Sequence, residues 1–467
     1  MSEEQASKRP RTDDPEDGTA MEEDQQDGTG PAEERPGERK PARRSVQDLM
    51  RPYYGLKFPY NEFCQWLSYG NDTKLPQADG NFFQRREFCF TLDGDIFVRY
   101  QSFKDKEELR RAMSTKLPAK IDIGPVYNVD PQRRKAYTGV ASERGFMPVE
   151  RELVFDIDLT DYDDVRTCGK EGHICGACWP LMAVAVEIID AALREDFGFQ
   201  HILWVFSGRR GIHCWVCDER ARKLTDEQRS ALAAFLSVYK GTEGGIARLA
   251  LSAVSASNHP SVERAYRMLS SAWTEHILPQ QRLLADEAAW ESMLAYIKDD
   301  DVTERLRARW RREQGRPTTG DISIERWADL ESEIDKVLES KSADRGRKQV
   351  LARAKKEIVF AYAYPRLDVE VSKKMNHLLK APFCVHPKTG KVCVPMDPSD
   401  IWAFSPDAVT TVHDLIEAER DSQDAASADA AMEAAVQTFR RCFLDGMRAA
   451  SKASLVAKAR ANEGLAW

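Results

Sequence analysis

Apolar positions along the chain change period several times, and each change predicts a different element. Tyr53, Tyr54, Phe58, Phe63, Trp66 and Leu67 punctuate the first ordered stretch, which should begin near Val46 and form short helices. Residues 88–92 and 96–100 are strand-like runs flanking Asp93-Gly94, a hairpin signal. Residues 152–159 read as a strand. Leu181, Val184, Ala185, Ile188, Ile189 and Ala192 carry a helical period through 179–195. Two further strands, 202–206 and 212–217, are joined by Ser-Gly-Arg-Arg-Gly. From 225 to 357 strand runs vanish and helical periods take over, as in Trp290, Leu294, Ile297 and Trp327, Leu330, Ile334, Val337. Strand patterning is expected again at 358–371 and 384–395. Residues 421–429 read as a polar linker. Met432, Val436, Phe439, Phe443 and Met447 then form one stripe of a terminal helix, too apolar to be left in water, so the chain or a partner should bury it. No internal repeat is visible.

Alternating strands and helices predict a mixed α/β fold. The expected divisions are a tail at 1–45, an α/β core at 46–224 resumed at 358–420, a helical subdomain at 225–357, and a linker with terminal helix at 421–467. The 467 residues, 42% hydrophobic, suffice for one large domain or two smaller ones.

Charge refines this. Net charge is −8, which argues against a uniformly basic nucleic-acid coat but leaves room for local basic patches. The tail holds thirteen acidic and eight basic residues and few large apolar ones, so it should be disordered. Its basic clusters at 8–11 and 39–44 read equally as nuclear-import signals or as an ordinary charged tail. No uninterrupted apolar run approaches 18 residues and the N-terminus is polar, so neither a membrane span nor a secretory signal is expected.

Asp156 and Asp158 lie two apart inside a strand, so both carboxylates leave one face while Phe155 and Ile157 point to the other. Such a pair suits hard divalent cations; alone it is also what a solvated strand end looks like. Ser207-Gly208-Arg209-Arg210-Gly211-Ile212-His213 puts two guanidiniums and an imidazole on a glycine-flanked turn, suited to phosphate or simply a basic hairpin around a core histidine. Asp368 sits in a strand-like segment, and Lys380, His386 and Lys388 follow in a basic stretch suited to a triphosphate, or to solvent. Cys168, His173, Cys175 and Cys178, within a module at 166–180, offer four N/S donors for a structural zinc ion; free thiols or a redox pair are the alternatives. Asp163 and Asp164 are competing oxygen donors less suited to zinc beside thiolates.

Together these segments resemble the archaeo-eukaryotic DNA primase small-subunit family, eukaryotic nuclear branch. The resemblance runs in order over about residues 50–400 and includes Arg86-Glu87-Phe88, Arg99-Tyr100-Gln101, Lys120-Ile121-Asp122, Arg366-Leu367-Asp368 and Asn376-His377-Leu378-Leu379-Lys380. It implies a prim-pol core with a central sheet, a zinc knuckle and a helical subdomain. It implies that Asp156, Asp158 and Asp368 hold two Mg²⁺ or Mn²⁺ ions. Ser207, Arg209, Arg210, His213, Lys380 and His386 would grip a ribonucleoside triphosphate, and Glu87, Arg99 and Asp122 would line the site nearer sugar and base. The expected activity is synthesis of short RNA primers on single-stranded DNA, with a large iron–sulfur primase subunit and the DNA polymerase alpha complex as partners, in the nucleus. The sequence departs from the family at Gly169, where an adjacent cysteine is common, and His173 is expected to replace the missing thiolate. Two other readings are a damage-tolerant primase-polymerase and a non-catalytic zinc-containing nucleic-acid-binding subunit.

Overall fold

The computed structural model describes residues 44–137, 145–251, 259–315, 320–417 and 423–463. Apart from Arg44 and Ser45, the acidic tail and its basic clusters lie outside these residues. The first described helix opens on a capping box: Ser45 accepts from the Asp48 amide, Asp48 accepts from the Ser45 amide, and the helix Val46–Pro52 follows.

The strands are β1 (Arg86–Leu92), β2 (Ile96–Gln101), β3 (Lys120–Tyr127), β4 (Pro148–Glu150), β5 (Leu153–Asp158), β6 (Ile202–Phe206), β7 (Gly211–Val216), β8 (Tyr239–Glu243), β9 (Ile246–Leu249), β10 (Leu379–Lys380) and β11 (Pro395–Met396). One sheet runs β10-β3-β1-β2 with β4 also on β3; a second runs β11-β6-β7-β5; β8 and β9 pair alone. All pairings are antiparallel. The predicted β1–β2 hairpin turns through Gly94 and Asp95, both at positive φ.

The helix Trp179–Ala191 packs against β6: Trp204 donates to Asp190 at 2.9 Å, and Phe206 meets Trp179 edge-on. By length and hydropathy, 1.6 over its best window, the segment Gly176–Asp196 would suffice to cross a bilayer, but 72% of that window is buried inside the protein. Trp66, from the helix Tyr60–Ser68, meets Trp215 of β7 edge-on at 5.3 Å and also contacts Phe439 and Phe443. The N-terminal aromatics, the second sheet and the C-terminal stripe therefore share one core. Met432, Val436, Phe439, Phe443 and Met447 are all buried by the chain itself.

Four expectations need correction. Residues 358–363 are helix, the end of Arg345–Ala363, because Ile358 through Ala363 are buried all round and an unbroken apolar run cannot distinguish such a helix from a strand. Residues 384–395 contribute only two isolated bridges, Val385–Val392 and Lys391–Thr411, and the start of β11. The β8–β9 hairpin interrupts the helical region, turning through Gly244 and Gly245 at positive φ. The described part of the expected linker, from Gln423, belongs to the helix Gln423–Phe439, whose many alanines favour helix.

The two large sheets are locked by a fully buried ion cluster. Arg86 of β1 makes two bonds to Glu152, of 2.8 and 2.9 Å, and Arg151 and the Tyr69 hydroxyl donate to the same carboxylate at 2.9 and 2.6 Å. Burial alone would push this carboxyl up; Arg86 and Arg151 outweigh it and hold it far below the usual range.

Candidate functional site

β5 carries the acids as the alternation requires. Phe155 and Ile157 are fully buried, whereas the Asp156 and Asp158 side chains keep 29% and 25% exposure. Across the β5–β7 pair, Asp156 opposes His213 and Asp158 opposes Gly211. A β-carbon at Gly211 would come within 2.6 Å of the Ile157 carbonyl, so only glycine permits this approach. Asp368 is not in a strand. It caps the short helix Val369–Lys373, and its amide donates to the Asp156 carbonyl at 3.0 Å, which brings the third acid to the same strand. Burial, then Asp158 and Asp368, push the Asp156 carboxyl up to about 7.

The cationic turn follows β6. Gly208 has φ +87°, and a β-carbon there would crowd His386 at 2.8 Å and Cys393 at 3.2 Å. Lys380 donates to the Ser207 carbonyl at 2.6 Å and Thr389 to the Gly208 carbonyl at 2.7 Å, so the turn and the basic stretch after β10 form one surface. His213 is buried, and burial followed by Lys380 and Lys120 pulls its imidazole well below the ordinary value. His386 is lowered to about 3 by burial, then by Lys380 and Arg209. Both rings are neutral at physiological pH and act as hydrogen-bonding groups. Arg210 pairs with Asp158 at 2.8 Å. Arg209 makes no hydrogen bond or ion pair among the described residues.

Glu87 is buried and accepts from Arg99 at 3.0 Å, from the Tyr100 amide at 3.2 Å and from the Tyr127 hydroxyl at 3.0 Å; it fixes Arg99. Asp122 opposes Lys380 across β3–β10, lies 3.3 Å from Lys120, and has its carboxyl raised by burial. Sequence reasoning missed the strained backbone of Tyr100, at φ +59°, whose ring lies under Arg134 at 4.1 Å. Nothing in the residue pattern signals that conformation.

The acids form an oxygen-only, mutually repelling donor set, which fits hard divalent cations. They are more open than the thiols: among the described residues only Cys168, Cys175 and Cys178 bring three ligand atoms within 4.8 Å of one another. Their sulfurs lie 2.9 Å (Cys168–Cys178) and 3.7 Å (Cys175–Cys178) apart, and Gln281 donates to Cys168 at 3.2 Å and Arg166 to Cys178 at 3.5 Å. Soft sulfur donors with cationic and amide support fit zinc. His173 is exposed and stands outside the convergent set; its ring packs on Gly169, where a β-carbon would lie 2.9 Å from its Cγ. Asp163 and Asp164 are engaged by Arg166 and Arg366.

A family profile described as DNA primase small subunit matches residues 155–398, a span that contains every candidate above except Glu87, Arg99 and Asp122. The DNA primase small subunit of Schizosaccharomyces pombe is 42% identical over 378 residues, covering 81% of this chain and 79% of that protein. The Drosophila melanogaster DNA primase small subunit is 39% identical over 373 residues, covering 79% and 81%. The archaeal DNA primase small subunit PriS of Thermococcus kodakarensis is more distant, 31% identical over 35% of this chain and 45% of its own. The chain belongs to the DNA primase small-subunit family, enzymes that synthesise RNA primers by nucleotidyl transfer.

Proposed function

We propose that Asp156, Asp158 and Asp368 hold two divalent cations, Mg²⁺ or Mn²⁺, and that the turn at 207–210 with His213, Lys380 and His386 receives the triphosphate of a ribonucleotide templated by single-stranded DNA. The observation that carries this reading is the Asp156 carboxyl, driven up to about 7 by burial and two neighbouring acids beside an anion-seeking turn. Cations bound there supply activation of a primer 3′-hydroxyl and neutralisation of the departing pyrophosphate. The chain's own groups do the rest. Arg209 and Lys380 present charge to phosphate oxygens; Arg210 exchanges its Asp158 partner for them. His213 and His386, being neutral, hydrogen-bond without adding charge. Glu87 holds Arg99 toward the sugar and base, with Asp122 beside it. Cys168, Cys175, Cys178 and His173 hold a structural zinc ion, His173 turning inward to supply the fourth donor.

The same reading makes the chain the catalytic partner of a large iron–sulfur subunit in the DNA polymerase alpha assembly, carried to the nucleus by its basic N-terminal clusters. Primer synthesis on single-stranded DNA tests the site. Strong preference for ribonucleotides is expected; preference for deoxyribonucleotides would favour the damage-tolerant primase-polymerase reading.

A further inference from the structure

The thiol knuckle meets the cationic turn at a glycine. A β-carbon built on Gly172 would overlap the Arg209 guanidinium, with Cζ at 2.8 Å and Nε at 3.4 Å. The Arg209 guanidinium therefore points its Nη2 tip into the space that a side chain at 172 would fill, over bare backbone. Gly172 is not among the positive-φ glycines, so backbone strain does not explain a glycine here.

The backbone under Arg209 is held on both sides. Arg166, whose side chain is fully buried, donates to the Glu171 carbonyl at 3.1 Å and to the His173 carbonyl at 2.7 Å, the two residues flanking Gly172. The same guanidinium reaches Cys178 Sγ at 3.5 Å and Asp163 Oδ1 at 2.6 Å, and Asp163 accepts from the Glu171 amide at 2.8 Å. One arginine thus ties the thiol cluster to the exact stretch of loop on which Arg209 rests, while Arg209 makes no hydrogen bond or ion pair of its own among the described residues.

We infer that Gly172 is a positioning residue: its bare backbone seats the Arg209 guanidinium, so that the thiol knuckle forms one wall of the triphosphate site. This rests on Arg209 meeting the triphosphate, as proposed above. A methyl group at 172 pushes aside the flexible end of an arginine, not packed backbone, so the fold tolerates it while Arg209 loses its place.

The test measures binding of inorganic tripolyphosphate by calorimetry, together with zinc content and melting temperature. Arg209→Ala should weaken binding by about tenfold or more, the loss of a charged hydrogen bond. Gly172→Ala should weaken it by about threefold to tenfold with zinc and melting temperature unchanged, and add nothing in the Arg209→Ala background. It should raise KM for ribonucleoside triphosphates more than it lowers saturated turnover. Gly176→Ala, in the same knuckle with nothing within 4 Å of a built β-carbon, should leave binding unchanged. If Arg209→Ala weakens binding and Gly172→Ala does not, the seat is wrong. Loss of zinc from Gly172→Ala, an additive double variant, or an equal effect of Gly176→Ala would each overturn it too. Unchanged binding by Arg209→Ala would instead overturn the triphosphate assignment beneath it.

Discussion

Glu152 and Asp156 stand four residues apart, one just before β5 and one within it, and the same fold drives their carboxyls in opposite directions. Glu152 is fully buried against Arg86, Arg151 and Tyr69, and is held far below the ordinary range. Asp156 faces two further acids and a neutral histidine, and is pushed up to about 7. Glu152 finds its cationic partners inside the chain; in the second region Asp158 has Arg210, but Asp156 has no Lys or Arg ion pair among the described residues. The strand therefore has a stabilising end and a reactive end, and substitutions should separate them.

Asp156→Asn, Asp158→Asn and Asp368→Asn should each cut primer synthesis by roughly a thousandfold or more, since metal-assisted charge neutralisation supplies several kcal/mol. Thermal melting should show stability held or raised. A variant that melts much lower would place that acid with Glu152 instead.

Glu152→Gln should do the opposite. It leaves Arg86 and Arg151 buried without a counter-ion and should cost about 3–5 kcal/mol by urea denaturation. The Glu152 carboxyl is depressed in the folded state, so its stabilisation is present above the unfolded value near 4.5 and is lost as pH falls below it. The native protein should therefore lose stability on acidification more steeply than the Gln variant. Parallel acid profiles would count against the cluster.

The knuckle offers a third, smaller contrast, because its donors are soft and already gathered. His173→Ala should weaken zinc binding tenfold or more, read by metal titration. Gly169→Cys together with His173→Ala should restore it, the histidine having to leave because its ring fills the space a side chain at 169 needs. X-ray absorption showing four sulfur neighbours and no imidazole in the native protein would exclude His173.

A last contrast concerns pH. Asp156 is raised in the folded state, so in metal-free protein its ionisation costs stability as pH climbs from about 4 through 7. Asp156→Asn should melt above the native protein near pH 8, with the gap closing toward pH 5, and added Mg²⁺ should narrow it by stabilising the native protein. A constant gap across pH would mean the acid is not destabilised by its neighbours.

What was legible in the residues follows from how local each signal is. The period-two alternation around Asp156 and Asp158, the Asp93-Gly94 turn and the Ser-Gly-Arg-Arg-Gly connection all depend on neighbours in sequence, and each appears where the pattern put it. Residues 358–363 misled because complete burial erases the amphipathic period. The β8–β9 hairpin has Gly244-Gly245 as a turn signal but no strand signal beside it, because the flanking residues alternate weakly and none is buried. The Glu152 cluster was invisible for a different reason: Arg86 and Glu152 meet only because two sheets pack, and nothing in either segment names the other.

Mn²⁺ binding followed by electron paramagnetic resonance, with and without a ribonucleoside triphosphate, tests the central claim most directly. The native protein should bind Mn²⁺ more tightly when the triphosphate is present, and Asp156→Asn, Asp158→Asn and Asp368→Asn should each lose that binding while retaining zinc and fold. Undiminished Mn²⁺ binding by any of the three would contradict the assignment of that carboxylate to the catalytic cations.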